Sequence, residues 1–433
     1  MSVLLSNGKQ MPLISLGTYK TSEEDLNKLI SIALDTGYRS FDTASCCMNE
    51  TILYKILEKE LFIRNMSRED VYLITKLKPK DHGYDNAIEA MKKSSRNLGG
   101  YIDMYLIHWP GVAKCKPNDE MNKKLRCESW NAMTDMYTGA IGAIGATGAS
   151  ADTAGTSTLV RGIGVSNYHI HHLEELCNLE PEPEAGAEPE PEVYDYTAPS
   201  KPNTSNPNDN YDHNNSHRPH IKPMVNQIEI HPTHHPIALI SYCRQHEIQV
   251  QAYAPFGSGG LLKKEFLDLF PKCREIAMGL RLGLGLDSGV ERESAPGNKD
   301  EGDKRDKSDN DTGSSRSSGS SSLTMDTSME HLDTDIDTKM ALCTVYLSWL
   351  LQHGYLAVPK ATTPDQVVNN YQCIAQSQCQ CQCQAGSTSV PVPLANSNSN
   401  CNCSHLSVEE VLYLDSIQSQ HTHKYCWDSE HIL

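Results

Sequence analysis

The chain alternates short apolar runs with longer stretches in which apolar residues recur every three or four positions. Short apolar runs predict buried strands, and the longer spacing predicts helices. Strands are predicted at 14–19, 38–41, 71–76, 102–108, 162–165, 224–230, 248–253 and 356–358. Helices are predicted at 22–36, 49–61, 85–98, 128–136, 170–178, 236–246, 340–353 and 364–371. Eight strand-then-helix units with continuous apolar strands predict an α/β fold, a (β/α)8 TIM barrel.

Four segments interrupt this rhythm with low-complexity sequence. They lie near 138–160, 180–221, 283–337 and 374–404, and they carry Gly-Ala-Ile, Glu-Pro, Asp/Lys/Ser and Gln-Cys or Asn-Ser repeats. Their apolar content is too low to offset the entropy of ordering, so we expect disordered insertions. The remaining roughly 290 residues are an ordinary barrel length. Residues 1–433 are therefore predicted to form a single barrel domain with four low-complexity insertions.

Composition narrows the class of protein. The net charge of −17 argues against a nucleic-acid partner or an anionic membrane surface. No apolar run is long enough to span a membrane, and residues 1–9 do not resemble a secretory signal. The 15 cysteines are scattered or sit in repeats, which fits free thiols in a reducing compartment better than disulfides. We expect a cytoplasmic protein without a metal site.

Reactive residue types stand where three successive predicted strands end. Asp42 follows the second strand, Lys76 ends the third and His108 ends the fourth. Barrel enzymes carry their reacting groups on this edge. A buried ion pair with a purely structural role is the alternative for Asp42 and Lys76, but the position at the strand exits favours function.

Ordered strings along almost the whole chain outside the insertions are similar to the aldo-keto reductase family. They are Leu16-Gly17-Thr18, Gly37-Tyr38-Arg39, Asp42-Thr43-Ala44, Asn49-Glu50, Leu106-Ile107-His108-Trp109-Pro110, Gly164-Val165-Ser166-Asn167, Asn226-Gln227-Ile228-Glu229 and Val358-Pro359-Lys360. The resemblance implies a barrel enzyme that reduces aldehydes and ketones by hydride transfer from NADPH. A small-molecule carbonyl substrate is the implied partner. The oligomeric state is not revealed by the sequence, and a monomer is expected.

The resemblance also implies a catalytic set of tyrosine, lysine, aspartate and histidine. Asp42, Lys76 and His108 match three members, and counting from Asp42 or back from Asn49 puts Cys47 at the tyrosine position. Acidity is not the obstacle, since a thiol has a reference pKa of about 8.5 against about 10 for a phenol. Reach is the obstacle, because a general acid must come within about 3 Å of its target or act through one water.

Two functions therefore remain open. The first is a slow or altered NAD(P)H-dependent carbonyl reductase, in which a bridging water or His108 supplies the proton. The second is a catalytically inactive nucleotide-binding barrel that acts as a sensor or interaction module. Lys76 beside Cys47 also favours a thiolate there, which predicts a redox-sensitive site.

The resemblance assigns the cofactor a row of residues at the strand exits. They are Gly17, Thr18, Ser166, Asn167, Gln227, Tyr253, Gly257, Ser258, Lys360, Gln366 and Asn370. Lys360 matches the lysine that binds the 2′-phosphate of NADP(H), but Gln366 replaces an arginine, so NAD(H) is not excluded. Ser166-Asn167 as a helix cap and Tyr253 as a core aromatic are the structural alternatives. Three residues are assigned to the substrate pocket: Tyr19, Lys78 and Trp109.

Overall fold

The computed structural model describes residues 1–140, 159–177, 220–283, 336–383 and 406–433. An antiparallel hairpin, β1 (Ser2–Leu4) and β2 (Gln10–Pro12), precedes the barrel and is not indicated by the apolar pattern. The barrel strands are β3 (Leu16–Gly17), β4 (Ser40–Asp42), β5 (Tyr72–Leu77), β6 (Met104–Ile107), β7 (Ile163–Ser166), β8 (Val225–Glu229), β9 (Gln249–Tyr253) and β10 (Leu356–Val358).

The eight strands pair in parallel in their sequence order. Parallel bridges between Ile14 and Ala357 and between Gly17 and Lys360 join the first strand to the last. Strands β6, β7 and β8 are buried along their whole length, as expected for a parallel sheet covered by helices. The predicted (β/α)8 barrel is confirmed.

Eleven α-helices are found in the described residues. They are α1 (Glu23–Thr36), α2 (Glu50–Ile63), α3 (Tyr84–Asn97), α4 (Met121–Thr138), α5 (Ile170–Cys177), α6 (Ile237–Gln245), α7 (Lys264–Leu269), α8 (Lys272–Gly283), α9 (Ile336–Gln352), α10 (Pro364–Cys383) and α11 (Val408–Gln420). All eight predicted helices are present, whereas α7, α8 and α11 are not indicated by the sequence pattern. Helix α4 begins at Met121 rather than near 128, and α10 continues well past 371.

Local sequence explains why the helices begin and end where they do. In α1 the Ser22 side chain accepts a hydrogen bond from the Asp25 amide at 3.1 Å, which caps the first turn. Gly37 ends the helix with φ of 116°, a conformation that a residue with a Cβ adopts only at a cost. The apolar face of α1 packs into the core. This geometry delivers the chain directly into β4 and Asp42.

The predicted insertions lie almost entirely outside the described residues. The first three ranges, near 138–160, 180–221 and 283–337, overlap the described residues only at the ends of neighbouring elements, whereas 374–383 of the fourth range, 374–404, form the second half of α10. No helix among the described residues is long and apolar enough to cross a membrane.

Candidate active site

Asp42 and Lys76 form a buried ion pair at the exits of β4 and β5. Lys76 Nζ lies 2.6 Å from Asp42 Oδ1 and also donates to the Thr43 carbonyl oxygen at 2.9 Å. Gln227 Nε2 donates to the other carboxylate oxygen of Asp42 at 2.8 Å. An ammonium group carries three N–H donors. Two are engaged among the described residues, so the third is left for a ligand.

His108 directly follows β6 and is half-buried beside this ion pair. Its Nδ1 atom lies 3.5 Å from Cys46 Sγ. Its Nε2 atom has no hydrogen-bond partner among the residues that the structure describes. The ring nitrogen that a substrate oxygen can reach is therefore Nε2.

Two adjacent thiols lie on the single 3-10 turn Ser45–Cys47 that follows β4. The Ser45 hydroxyl donates to the Lys76 carbonyl oxygen at 2.8 Å, which ties the turn to β5. Cys46 is exposed and Cys47 is half-buried. The turn ends at Met48, a non-glycine residue with φ of 54°.

The two thiols differ sharply in acidity. A hydrogen bond from the Cys47 thiol, supported by His108 and Lys76, lowers the pKa of Cys46 to about 4. The same contact with Cys46, together with burial, raises the pKa of Cys47 well above its ordinary value. The thiolate at Cys47 that the sequence favoured stays a prediction, while contact with Cys47 lowers the pKa of the neighbouring Cys46.

Polar side chains at the exits of β7, β8 and β9 form a connected network. Ser166 Oγ donates to the Gln227 carbonyl oxygen at 2.8 Å, and Asn167 Nδ2 donates to the His108 carbonyl oxygen at 2.9 Å. Tyr253 Oη donates to Asn167 Oδ1 at 2.7 Å, and burial raises the pKa of this phenol well above its ordinary value. The residues assigned to the nicotinamide therefore lie together, and Gln227 connects them to Asp42.

The loop after β9 contains three consecutive residues with left-handed backbone conformations. Gly257 and Ser258 have φ of 54° and 52°, and Gly259 has φ of 88° with open space where a Cβ would stand. The Gly257 and Gly259 amides donate within the loop to the Ala254 and Phe256 carbonyl oxygens, both at 2.9 Å. Ser258 Oγ also lies 3.6 Å from Cys426 Sγ, so residues of the chain's last segment border this loop.

Lys360, Gln366 and Asn370 lie at the opposite end of the row. Lys360 Nζ donates to the Lys20 carbonyl oxygen at 3.3 Å, and partial burial together with the Lys20 charge lowers the pKa of Lys360. Gln366 Oε1 accepts from the Thr362 amide at 2.8 Å and from the Thr362 hydroxyl at 3.0 Å. Gln366 is thus turned back onto its own loop.

Asn370 is 1% exposed, and its Oδ1 accepts no hydrogen bond within the described residues. A buried acceptor without a donor costs free energy, which a donor on a bound group would relieve. The cation of Lys360 and the acceptor of Asn370 fit a phosphorylated adenine nucleotide.

The residues assigned to the substrate pocket follow β3, β5 and β6. Tyr19 is 46% exposed, and Trp109 is half-buried, with its carbonyl oxygen 3.0 Å from His82 Nε2. Lys78 Nζ lies 3.1 Å from Asp81 Oδ2. Lys78 is therefore half-buried and paired, which leaves little of its charge for a negatively charged substrate.

Residues 421–433, the exit-face segment, cover one side of the site and are not indicated by sequence reasoning. The amides of Tyr425 and Cys426 donate to the buried carboxylate of Glu229 at 2.7 and 3.0 Å. The Ser429 hydroxyl donates to the Asn167 carbonyl oxygen. Nothing local in the sequence marks these contacts. The adjacent pair Cys46-Cys47 was a visible signal, but reasoning from the tyrosine position singled out only one of its members.

Comparison with known proteins agrees with this geometry. The sequence model of the Aldo/keto reductase family matches residues 13–189 and 204–379. A glyoxal reductase of Bacillus subtilis (strain 168) is 30% identical over 268 residues, which are 61% of this chain and 71% of the relative. The methylglyoxal reductase DkgA of Escherichia coli (strain K12) is 27% identical over 292 residues, which are 66% of this chain and 80% of the relative.

Solved structures share the barrel at low identity. The Bombyx mori aldo-keto reductase AKR2E4 in complex with NADP has a TM-score of 0.54 and 18% identity, over 99% of this chain and 96% of that one. The aldose reductase of Schistosoma japonicum has a TM-score of 0.55 and 19% identity, over 99% of both chains. At this identity the likeness concerns the fold alone.

Proposed function

The chain belongs to the aldo/keto reductase family, and from this membership we propose that it reduces small aldehydes or ketones with NADPH. The observation that carries the proposal is the buried ion pair of Lys76 and Asp42 at the strand exits, 2.6 Å apart, beside the free Nε2 of His108. Lys76 and His108 are the groups that would polarise a carbonyl, and Asp42 holds the Lys76 ammonium in place. The names of the relatives point to small dicarbonyls, glyoxal and methylglyoxal, as first substrates.

When bound, NADPH supplies the hydride. Ser166, Asn167 and Gln227 would hold the amide of the nicotinamide, and Lys360 would hold the 2′-phosphate. Tyr253 would pack against the nicotinamide, and its hydroxyl is already engaged by Asn167 at 2.7 Å. NADP(H) is the proposed cofactor. The position of Gln366, turned towards Thr362, leaves room for weaker discrimination against NAD(H).

Proton delivery is the altered step. The contact with Cys47 and the nearby His108 lower the pKa of Cys46, so we do not assign the proton to this thiol. Cys47 keeps its proton, but a thiol one bond beyond Cβ lacks the reach of a phenol. On this proposal His108 would orient the carbonyl oxygen, and the proton would come from His108 itself or through a bridging water. General acid catalysis contributes about 10²- to 10⁴-fold, so turnover is slowed by a factor in that range.

A catalytically inactive, nucleotide-binding barrel is the second candidate. It is favoured by one observation: the position that the resemblance gives to the catalytic tyrosine is Cys47, whose side chain is much shorter than a phenol. Such a protein binds NADPH without oxidising it, and its role is that of a sensor or interaction module.

One experiment separates the two. NADPH binding is followed by quenching of protein fluorescence, and NADPH oxidation is followed with glyoxal, methylglyoxal and larger aldehydes. Reductase function predicts binding and slow oxidation in the native chain, with binding kept and oxidation lost in Lys76→Met. Binding without oxidation leaves the inactive barrel, and failure to bind NADPH removes both.

We also propose a cytoplasmic monomer. The nine cysteines whose side chains the structure describes are free thiols, as is usual in a reducing compartment. Light scattering on the purified chain tests the oligomeric state.

A further inference from the structure

One side-chain amide connects the ion pair to the strands assigned to the cofactor. Gln227 on β8 and Gln251 on β9 are register partners, and Gln227 Nε2 donates to Gln251 Oε1 at 2.7 Å. The same nitrogen donates to Asp42 Oδ2 at 2.8 Å, across the barrel interior. We propose that Gln251 is a positioning residue, which fixes the Gln227 amide so that Gln227 Oε1 accepts a hydrogen bond from the carboxamide of a bound nicotinamide. This inference rests on the proposed function, because it concerns how NADP(H) is held.

The nitrogen of Gln227 has no N–H left for a ligand. A side-chain amide carries two N–H donors on its nitrogen and an acceptor on its oxygen. One N–H goes to Asp42 and the other goes to Gln251. An ionised carboxylate only accepts hydrogen bonds, so the nitrogen of Gln227, and not its oxygen, must face Asp42. The partners therefore decide which end of the Gln227 amide is turned towards a ligand.

The contact with Gln251 sets the plane of this amide. The two N–H bonds and the C=O bond of a primary amide lie in one plane. With Asp42 as its single partner, the Gln227 amide could still turn about one hydrogen bond. With Gln251 as a second acceptor both N–H directions are set, and the direction of the oxygen follows from them. Gln251 thus controls where the Gln227 oxygen points without touching the cofactor.

The Gln227 oxygen is open to a ligand, whereas the neighbouring amide of Asn167 is already engaged at both ends. Asn167 Nδ2 donates to the His108 carbonyl oxygen at 2.9 Å, and Asn167 Oδ1 accepts from the Tyr253 hydroxyl at 2.7 Å. Gln227 Oε1 accepts no hydrogen bond within the described residues, and it is not among their fully enclosed atoms that lack a partner. It is therefore the acceptor that this row leaves for a donor on the ligand.

Packing alone does not account for Gln251. Its side chain is 0% exposed, and its Nε2 atom has no hydrogen-bond partner among the residues that the structure describes. A buried donor without a partner costs free energy, which an apolar side chain of similar length would avoid. What the amide supplies at this place is the acceptor for Gln227.

The ligand that fits this arrangement must bring a donor of its own. The carboxamide of NADP(H) carries N–H groups, whereas the acetylpyridine analogue of NADP⁺ has a methyl group in place of the amide nitrogen. The analogue leaves the oxygen of Gln227 without a partner, and its other parts are the same. Preference for NADP⁺ over this analogue therefore measures the contact that Gln251 is proposed to position.

Quenching of protein fluorescence gives the dissociation constants of both nucleotides with the full-length chain. We expect the native chain to bind NADP⁺ about tenfold more tightly than the analogue, which is the effect of one hydrogen bond. In Gln251→Met, which keeps the length of the side chain but lacks the acceptor, the preference should fall to about twofold or less. A role in packing alone would weaken the binding of both nucleotides alike and leave their ratio unchanged.

Two further variants separate the acceptor from the bulk of the side chain. Gln251→Glu keeps an oxygen at the accepting position whether or not it is ionised, so it should retain most of the preference for NADP⁺. Gln249→Met makes the same exchange two residues earlier on β9, where the amide donates to the carbonyl oxygens of Val250 and Gly354. This matched control should show the ratio of the native chain.

Equal affinity of the native chain for the two nucleotides would overturn the inference, and this measurement does not depend on the folding of a variant. An unchanged ratio in Gln251→Met would also overturn it, while leaving the proposed function in place. Failure of the native chain to bind either nucleotide would instead remove the proposed function, and the inference with it.

Discussion

The Sγ atom of Cys46 lies 3.5 Å from Nδ1 of His108. Because of this contact the Nδ1 edge of the imidazole points to the Cys46 thiol, and the Nε2 edge is left for a substrate. It also places the Cys46 thiol beside the residue that we propose orients the carbonyl. A change at Cys46 should therefore alter carbonyl reduction.

Restoring a phenol tests the altered proton donor. On the proposal that Cys47 takes the place of a tyrosine, Cys47→Tyr should raise the rate of aldehyde-dependent NADPH oxidation by about 10²- to 10⁴-fold. Cys47→Phe supplies the same ring without a hydroxyl and is the matched control. Equal rates in the two variants would show that the ring fills space and gives no proton.

The ionisation of Cys46 should be visible in its reaction with iodoacetamide. Its pKa is lowered to about 4 by the Cys47 thiol, His108 and Lys76. The thiolate fraction is therefore already complete above about pH 5.5, where an ordinary thiol still gains about tenfold per pH unit. We expect a nearly constant alkylation rate for Cys46 from about pH 5.5 to 8. The rate is measured on the tryptic peptide 40–55, which is released by cleavage after Arg39 and Lys55. The urea-unfolded chain is the control, and a steep rise in the folded chain would contradict the assignment.

Gln366 offers a test of cofactor choice. Gln366→Arg exchanges an amide held by Thr362 for a planar cation near Lys360. A guanidinium binds phosphate through two parallel hydrogen bonds, so NADPH affinity should rise by about tenfold while NADH affinity changes little. Fluorescence titration with both nucleotides measures the ratio. Lys360→Ala should move it the other way, and an equal gain for both nucleotides would point away from the 2′-phosphate.

His172 should make the fold sensitive to acid. Burial, helped by the nearby His171, lowers the pKa of His172 to about 3, while His172 Nε2 donates to the Ile432 carbonyl oxygen at 2.8 Å. Below about pH 6.5 the unfolded chain takes up a proton that the folded chain refuses. Stability contributed by the neutral ring is thus present above that pH and is lost as pH falls towards 3.

The measurement is the midpoint of thermal unfolding between about pH 7 and 4. His172→Gln keeps an N–H donor but does not titrate, so its midpoint should fall less steeply with acid than that of the native chain. His431→Gln changes an exposed ring in the exit-face segment and is the control. Parallel curves for all three proteins would mean that other groups govern acid unfolding.

Gly260 should hold the exit-face segment in place by its lack of a side chain. A Cβ there would stand 2.2 Å from Tyr425 Cε1, so Gly260→Ala must displace the Tyr425 ring. We expect a loss of about 1–3 kcal/mol and faster proteolysis within residues 421–433. Gly279→Ala in α8 meets open space and should stabilise the helix by about 0.5–1 kcal/mol. Equal protease resistance in the two variants would show that Tyr425 does not anchor the segment.

The local pattern of apolar residues was sufficient to predict most elements of the barrel. Short apolar runs and apolar residues three or four positions apart can be recognised within a few neighbouring residues. All eight strands and the helices between them could therefore be predicted from the sequence. Because parallel strands end on one face, Asp42, Lys76 and His108 could be grouped without coordinates. The helices α7, α8 and α11 follow no strand of the simple repeat, so the counting of strand-then-helix units gave no place for them.

The site's details depend on contacts between distant residues. The ionisation of Cys46 follows from the direction of its side chain and from His108, 62 positions away. The place of the exit-face segment rests on Glu229, a buried carboxylate almost 200 positions earlier that accepts the Tyr425 and Cys426 amides. Neither relationship is encoded in a window of adjacent residues.

The bridge between Gly17 and Lys360 has a consequence for folding during synthesis of the chain. Gly17 ends β3 and Lys360 lies two residues after β10, so the two are far apart in sequence and we expect their pairing late in folding. Lys360 Nζ meets Lys20 only after that closure. A nascent chain whose Lys360 is still inside the ribosome lacks the residue that we propose binds the 2′-phosphate of the nucleotide. NADPH would then stabilise completed barrels selectively. The free energy of this stabilisation would grow with the logarithm of the NADPH concentration over its dissociation constant.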